Sequence, residues 1–438
     1  MNFTLIAILV GIIFFVLILN RPLFGLYLFT VLLYLKPEIF GSILSFLHVT
    51  RMIGFLTLIA FIFQAGKRGG IKYFNDAQSR WLVALGIVMC FSLSTSIWRS
   101  NTLEFLIDFF KIYIAYFLII NLISSLKQYR AIVWAMVASM ACIGLVSIRA
   151  YYNLGGSLSG ERMFGAYSGA LFSDPNDMAM GFIMLLPFIY YDFFRGSSIL
   201  RKAVLLVLIG IFLWGIVLTQ SRGGFIGLAV MLFVLWLRSK RKVLLAVLGI
   251  IILIFGWQVA PQSFKDRMMT IQTASNEDAA AISRLDAWKA GASMMTQRVF
   301  GVGAGNFGEG FVLYRPLDAV DVSGMRRVAH NMFMQVGGEM GFAGFVVFII
   351  LICCSLISLG KSRKNIYRDG RTIKKDKREI ALLIDATFLS LVGYCASGMF
   401  LSQAYNFVLY YLFGFSVVLK GWTSSNMNPQ KQELKYEH

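Results

Sequence analysis

The chain has 438 residues, of which 58% are hydrophobic and only 14% charged. A soluble domain is about half apolar, so this balance excludes one or two water-soluble domains and points to a membrane protein. A net charge of +19 would suit a nucleic-acid binder if the basic residues shared a soluble face; here they lie in short blocks between apolar runs, and nucleic acid is not an expected partner.

The first apolar run, residues 3–19, follows "MN" with no basic leader and no small-x-small cleavage pattern before Arg21. It reads as a retained anchor and not as a removed signal peptide. Residues 22–35 are also apolar, separated from the first run by "NRP" (20–22); the pair forms either two spans or a broken element that crosses once in effect. Further spans are expected near 52–65, 81–97, 103–123, 131–150, 178–194, 203–220, 223–237, 243–259, 332–358, 380–400 and 404–420, since each approaches the roughly 20 apolar residues that cross hydrocarbon. Only helices satisfy an open chain's backbone there. The expected fold is therefore all-α: a polytopic helical membrane bundle of about 12 transmembrane helices with one sizeable loop. The five cysteines, Cys90, Cys142, Cys353, Cys354 and Cys395, all fall inside apolar runs and read as small buried hydrophobes.

The basic blocks at 66–80, 238–242 and 361–379 are what cytoplasmic loops carry under the positive-inside rule. This register divides the chain into N-terminal helices (1–150), helices with non-cytoplasmic loops (151–259), a long non-cytoplasmic loop (260–331), C-terminal helices (332–420) and a polar cytoplasmic tail (421–438). The long loop holds eight Lys/Arg against seven Asp/Glu, and a loop of that length is exempt from the rule. Within it, Ile282, Leu285, Trp288, Ala292, Met295 and Val299 recur at helical spacing, an amphipathic pattern suited to the membrane surface.

Three clusters fall on that same non-cytoplasmic side. In "LTQSRGGFIGL" (218–228), Ser221 can cap the following helix, Arg222 stands at its start, and Gly223 with Gly224 lets a ligand approach backbone N–H groups. An arginine fork at a helix N-terminus suits a phosphate or diphosphate; a snorkelling arginine beside a tight glycine turn is the plainer reading. In "SGERMFGAYSGALFSDPNDMAM" (159–180), Asp174, Pro175 and Asp177 fit the N-cap, N1 and N3 positions of a span, while Arg162 can add to an anion site. The third cluster joins Arg284 with His330, one of only three histidines, at the start of the span 332–358. A helix N-terminus and nearby arginines disfavour imidazolium, so this ring should stay neutral and able to accept a proton. A neutral histidine is a general base; a tolerated interfacial ring is the bland alternative. "GAGNFG" (303–308) spells G-x-G-x-x-G, but no strand precedes it and no βαβ unit surrounds it, so it reads as a glycine turn. No metal-binding or P-loop spacing occurs, and neither metal nor cofactor is expected.

"HN" at 330–331, nine residues, Gly341, two residues and Gly344 reproduce the H-[NSQ]-x9-G-x-x-G signature. Together with "TQSRGG", "FSDPND", "SRLDAWKAG" and "GVGAGNF" in that order, it gives residues 160–355 a resemblance to the bacterial O-antigen ligase family, whose signature O-antigen polymerases and protein O-oligosaccharyltransferases share. The resemblance implies metal-independent, inverting glycosyl transfer at the periplasmic face of the inner membrane. The donor would be O-antigen on undecaprenyl diphosphate, and the acceptor a sugar hydroxyl of lipid A-core. His330 would be the base. Arg222 and Arg284, with Arg162, would stabilise the departing diphosphate, and Ser221, Gly223 and Asn331 would complete the substrate site. A lipid-linked-sugar transporter, the main non-enzyme alternative, needs charged residues deep in spans; Glu104, Asp108, Lys111, Asp192 and Asp385 are the few present, mostly near span ends.

Overall fold

The computed structural model describes residues 3–36, 48–66, 71, 76–156, 162–165, 172–195, 198–273, 279–317, 319, 326–368 and 375–424. Among these the regular structure is entirely α-helical. α1 (Phe3–Asn20) and α2 (Pro22–Leu35) are joined by Arg21 alone. Pro22 stands in the first turn of α2, where its missing N–H has no helical partner to lose. The Phe14 and Phe24 rings lie 5.9 Å apart, so the region is a helical hairpin and not one interrupted helix. α3 (Val49–Ala65) packs on both, and Gln64 Nε2 donates to the Leu19 and Asn20 carbonyls (2.7 and 3.3 Å), groups that α1 leaves without a partner at its end.

α4 (Ala77–Thr95), α5 (Arg99–Leu122), α6 (Leu126–Asn153), α7 (Pro175–Phe193), α8 (Ile199–Thr219), α9 (Arg222–Arg238) and α10 (Lys242–Val259) follow. α6 starts five residues earlier than hydropathy alone suggests, because Ser125 and Gln128 form a capping box. Three short helices occupy the long loop: α11 (Gln262–Thr273), α12 (Ala279–Gln297) and α13 (Phe307–Tyr314). The chain then returns through α14 (Met332–Arg368), α15 (Lys375–Gly398) and α16 (Phe407–Ser424). α16 extends to Ser424, past the expected span end at 420; the rest of the expected tail, 425–438, lies outside the described residues. α15 packs against α7 and α9, and α16 against α5, α14 and α15.

The protein is a multi-pass membrane protein. Among the described residues, seven helices (α4, α6, α8, α10, α14, α15 and α16) are long and apolar enough to cross a bilayer. The expected crossings at 103–123, 178–194 and 223–237 coincide with α5, α7 and α9, which fall outside that set, and the helices before residue 66 are shorter apolar ones. Lipid-facing positions keep their apolar side chains exposed, among them Val207 on α8 and Phe233 on α9.

One end of the bundle is fastened by ion pairs. Asp385 is held by Arg238 (2.9 Å) and Arg363 (2.5 Å), Asp192 by Arg201 (2.6 Å) and Arg195 (3.4 Å), Glu379 by Arg130 and Arg195, and Asp76 by Lys420 (2.7 Å). Asp192 and Asp385, which a transporter would need along a path, are paired here instead. Arg363 lies beyond the apolar part of α14, and its pair with Asp385 accompanies the continuation of that helix past the expected end at 358.

α14 is broken at Gly341, whose φ of 67° and ψ of −169° belong to a region essentially closed to side chains. A Cβ at Gly341 would stand 2.1 Å from the Val299 carbonyl oxygen. This accounts physically for the glycine eleven residues after His330. Gly341→Ala is expected to destabilise the protein by more than the ~1–3 kcal/mol of backbone strain alone, seen as a lower midpoint of thermal unfolding in detergent; an unchanged midpoint would contradict the geometry.

Candidate active site at the loop end of the bundle

The end opposite the ion pairs carries the long loop, which has a small core of its own. Ala287, Ala290 and Met294 of α12 meet Phe307 and Phe311 of α13, with Val302 and Ala329 between them. The expected stripe of α12 does not lie on one exposed surface: Trp288 packs on Phe400 and Met295 lies against Gly337. Leu285 (51%) and Val299 (74%) are exposed, but a second face of small residues, with Gly291 beneath Phe307 and Met334, docks the helix on α14. The buried residues of that second face, Ala287, Ala290 and Met294, are not among those of the expected stripe.

"GAGNFG" is a turn with Gly303 and Gly305 at φ 98° and 82°. Its chain hydrogen-bonds to the broken stretch of α14, from Val302 N–H to Gly338 O (2.9 Å) and Gly303 N–H to Glu339 O (3.0 Å). Asn306 fastens it to the α4–α5 junction by donating to Ser96 Oγ (2.9 Å) and Thr102 Oγ1 (3.0 Å). Gly301, at φ 67°, leaves no room for a Cβ against Glu339. The loop and the broken stretch of α14 therefore hold each other through glycines.

The two glycine- and proline-marked clusters meet at a residue that sequence reasoning passed over, Asn176. Its Oδ1 accepts from Arg162 (2.7 Å) and from Ser221 Oγ (2.8 Å), while Arg162 Nε also donates to the Thr219 carbonyl (2.9 Å). Ser221 caps α9 by accepting from Gly224 N–H (3.0 Å), and Asp174 caps α7 by accepting from Asn176 N–H (2.7 Å). The Gly224 donor is thus occupied within the protein. The space beside Gly223 is filled by Phe400 and that beside Gly224 by Ala179, so packing explains both glycines. Arg222 stands half-buried at the first position of α9.

His330 is half-buried, with φ of 45°, a left-handed conformation in which histidine is enriched among non-glycine residues. Its N–H donates to Ser402 Oγ (2.8 Å). The next residue, Asn331, caps α14 by accepting from Phe333 N–H (2.9 Å) and Met334 N–H (3.2 Å), which engages its amide oxygen structurally. Burial lowers the His330 pKa below that of an ordinary imidazole; Arg284 and Arg327 lower it further, and Asp174 opposes them. The ring is therefore the neutral form at pH 7. Burial, not charge, is the largest cause.

Segment 399–406, between α15 and α16, links these parts. Phe400 touches Gly223 and lies 6.4 Å from the Trp288 ring, one turn along α12 from Arg284. Ser402 holds the His330 backbone, and Gln403 hydrogen-bonds to Asp177. Arg162 and Ser221 are joined through Asn176, His330 and Arg284 interact electrostatically, and Arg222 is tied in through Gly223. Asn176 had a visible signal inside "FSDPND". Ser402, 72 residues from His330, had none.

Residues 204–349 match the family model described as O-antigen ligase. No curated protein matches the chain.

Proposed function

We propose that this chain, whose residues 204–349 match the O-antigen ligase family model, moves O-antigen polysaccharide from undecaprenyl diphosphate to a sugar hydroxyl of lipid A-core. The match supports an enzyme of glycosyltransferase type. The finer assignment rests on one observation: a half-buried His330 whose backbone is held by Ser402 and whose pKa is lowered by burial and by Arg284. His330 takes the proton of the acceptor hydroxyl as that oxygen attacks the anomeric carbon. The carbon–oxygen bond to the lipid diphosphate breaks on the opposite face, so configuration inverts. Arg222 and Arg284, with Arg162, stabilise the charge that grows on the leaving diphosphate. Ser221, Gly223 and Asn331 serve the same site by shaping and capping the helix ends around it. The diphosphate already carries the driving force, and no metal enters the step.

This reaction needs the loop end in the periplasm. Single cysteines at Met269 and Leu313, both exposed, are expected to react with a membrane-impermeant thiol reagent in spheroplasts of a cysteine-free variant, and one at exposed Lys364 is not. Reversed labelling would put His330 in the cytoplasm and end the proposal.

A further inference from the structure

Ser402, whose hydroxyl accepts from the His330 N–H, stands in segment 399–406, and that segment is fixed from several helices. Tyr394 Oη of α15 donates to the Gln403 carbonyl (2.7 Å), and Tyr410 Oη of α16 donates to the Ala404 carbonyl (3.1 Å). Two further attachments come from the start of α14, four residues apart and so on one face of that helix. Gln335 Oε1 accepts from Ala404 N–H (3.3 Å), and Glu339 Oε2 accepts from Tyr405 Oη (2.7 Å). The Tyr405 ring packs edge-on against Phe105 and Phe109 of α5, with centroids 4.8 and 5.6 Å away, which aims its hydroxyl at Glu339.

Glu339 is only 2% exposed, and burying a carboxyl is costly unless donors meet it. Its partners among the described residues are neutral donors: the Tyr405 hydroxyl and the N–H groups of Gly305 and Phe307. Phe307 is the first residue of α13, so its N–H has no helical acceptor, and Gly305 belongs to the glycine turn before it. One side chain therefore joins three segments far apart in sequence: the turn leading into α13, the helix that His330 precedes, and the connector that carries Ser402. A glutamine could not replace it, because an amide offers one acceptor oxygen and turns an NH2 group toward a donor. The transfer step itself gives this carboxyl no role. The geometry points to Glu339, assisted by Gln335 and Tyr405, as a positioning residue that holds Ser402 against the His330 backbone and so keeps the imidazole buried and oriented. It touches no reacting atom, and its catalytic meaning rests on the reading of His330 as the base.

The test reads the ring directly, without turnover. In the full-length protein with isotope-labelled histidine, the His330 signal is assigned by its loss in His330→Asn and titrated by NMR. The charged groups acting on this ring are Arg284 of α12, Arg327 just before α14 and Asp174 at the start of α7, with burial the largest influence. In Glu339→Gln and in Tyr405→Phe the ring should lose burial, and its midpoint should rise toward that of an ordinary histidine. Removing a negative charge would by itself lower the midpoint, so a rise in Glu339→Gln reports packing. Turnover should fall about 10- to 10²-fold in Glu339→Gln and less in Tyr405→Phe, with KM for lipid-linked donor unchanged. Ser402→Ala should add little to the loss in Glu339→Gln, because both act through one contact. Tyr405→Phe removes a single hydroxyl, and it decides the matter if Glu339→Gln does not fold. An unchanged midpoint in a folded variant overturns the assignment and leaves Glu339 a stability residue, as does a Ser402→Ala loss fully additive to that of Glu339→Gln. If the midpoint rises in the variants of a protein whose wild type transfers no glycan, the ligase reading fails and the positioning assignment stands.

Discussion

Replacing His330 with alanine is expected to leave a folded protein that binds lipid-linked donor and transfers glycan about 10² to 10⁴ times more slowly, the loss typical of a positioned acid–base group. Alanine at φ 45° also carries a backbone cost of about 1–2 kcal/mol, so His330→Asn is the sharper variant. Asparagine tolerates the left-handed conformation and keeps the N–H that donates to Ser402, but it cannot accept the proton. Both should bind donor as the wild type does. The pH dependence follows from the sign of the shift. Burial, Arg284 and Arg327 lower the pKa of the ring, so the neutral, competent form persists through neutral pH and below the range of an ordinary histidine. The wild-type rate should therefore be flat across neutral pH and fall only at more acid pH, with a chelator making no difference. Measured with purified lipid-linked donor and lipid A-core, wild-type turnover by either variant would return His330 to the class of interfacial rings.

Arg222 is expected to show the second large effect. In the proposed reaction charge would move onto the diphosphate, and the Arg222 guanidinium at the start of α9 would add its two-pronged donor set to the positive end of the helix. Removing one such electrostatic partner costs about 10² to 10³ in turnover, and this is the loss expected for Arg222→Ala. Arg222→Lys keeps the charge but loses the planar fork, so it should remain strongly impaired. Because the interaction strengthens as the bond breaks, turnover should fall more than donor affinity. Gly223 is packed against Phe400 and Ser221 is buried on Asn176, so thermal unfolding must show both variants folded. Two folded variants with normal turnover would make Arg222 a snorkelling residue beside a packed turn.

Much of this architecture was legible because it follows from single segments. Hydropathy located the helices, and "SDPND" announced the cap of α7 through Asp174 and Pro175. The glycines of 303–308 announced a turn and not a nucleotide loop. What escaped was set by contacts between distant segments or by competing local signals. The start of α6 was written in Ser125 and Gln128, a capping signal that apolar run length ignores. The second buried face of α12 exists only because α14 and α13 cover Ala287, Ala290 and Met294. Gly223 and Gly224 read as openings for a ligand until Phe400 and Ala179 are seen to fill the space. The lowered pKa of His330 was expected from helix end and arginines, but its largest cause, burial, depends on the packed fold.

The central claim, transfer of completed O-antigen to lipid A-core, is tested most directly by the lipopolysaccharide gel profile of a strain lacking this protein. The account predicts loss of the O-antigen ladder with the core band intact and lipid-linked chains accumulating, all restored by the wild-type gene but not by His330→Asn. A core bearing a single repeat would make the protein a polymerase, and an unchanged ladder would contradict the account altogether.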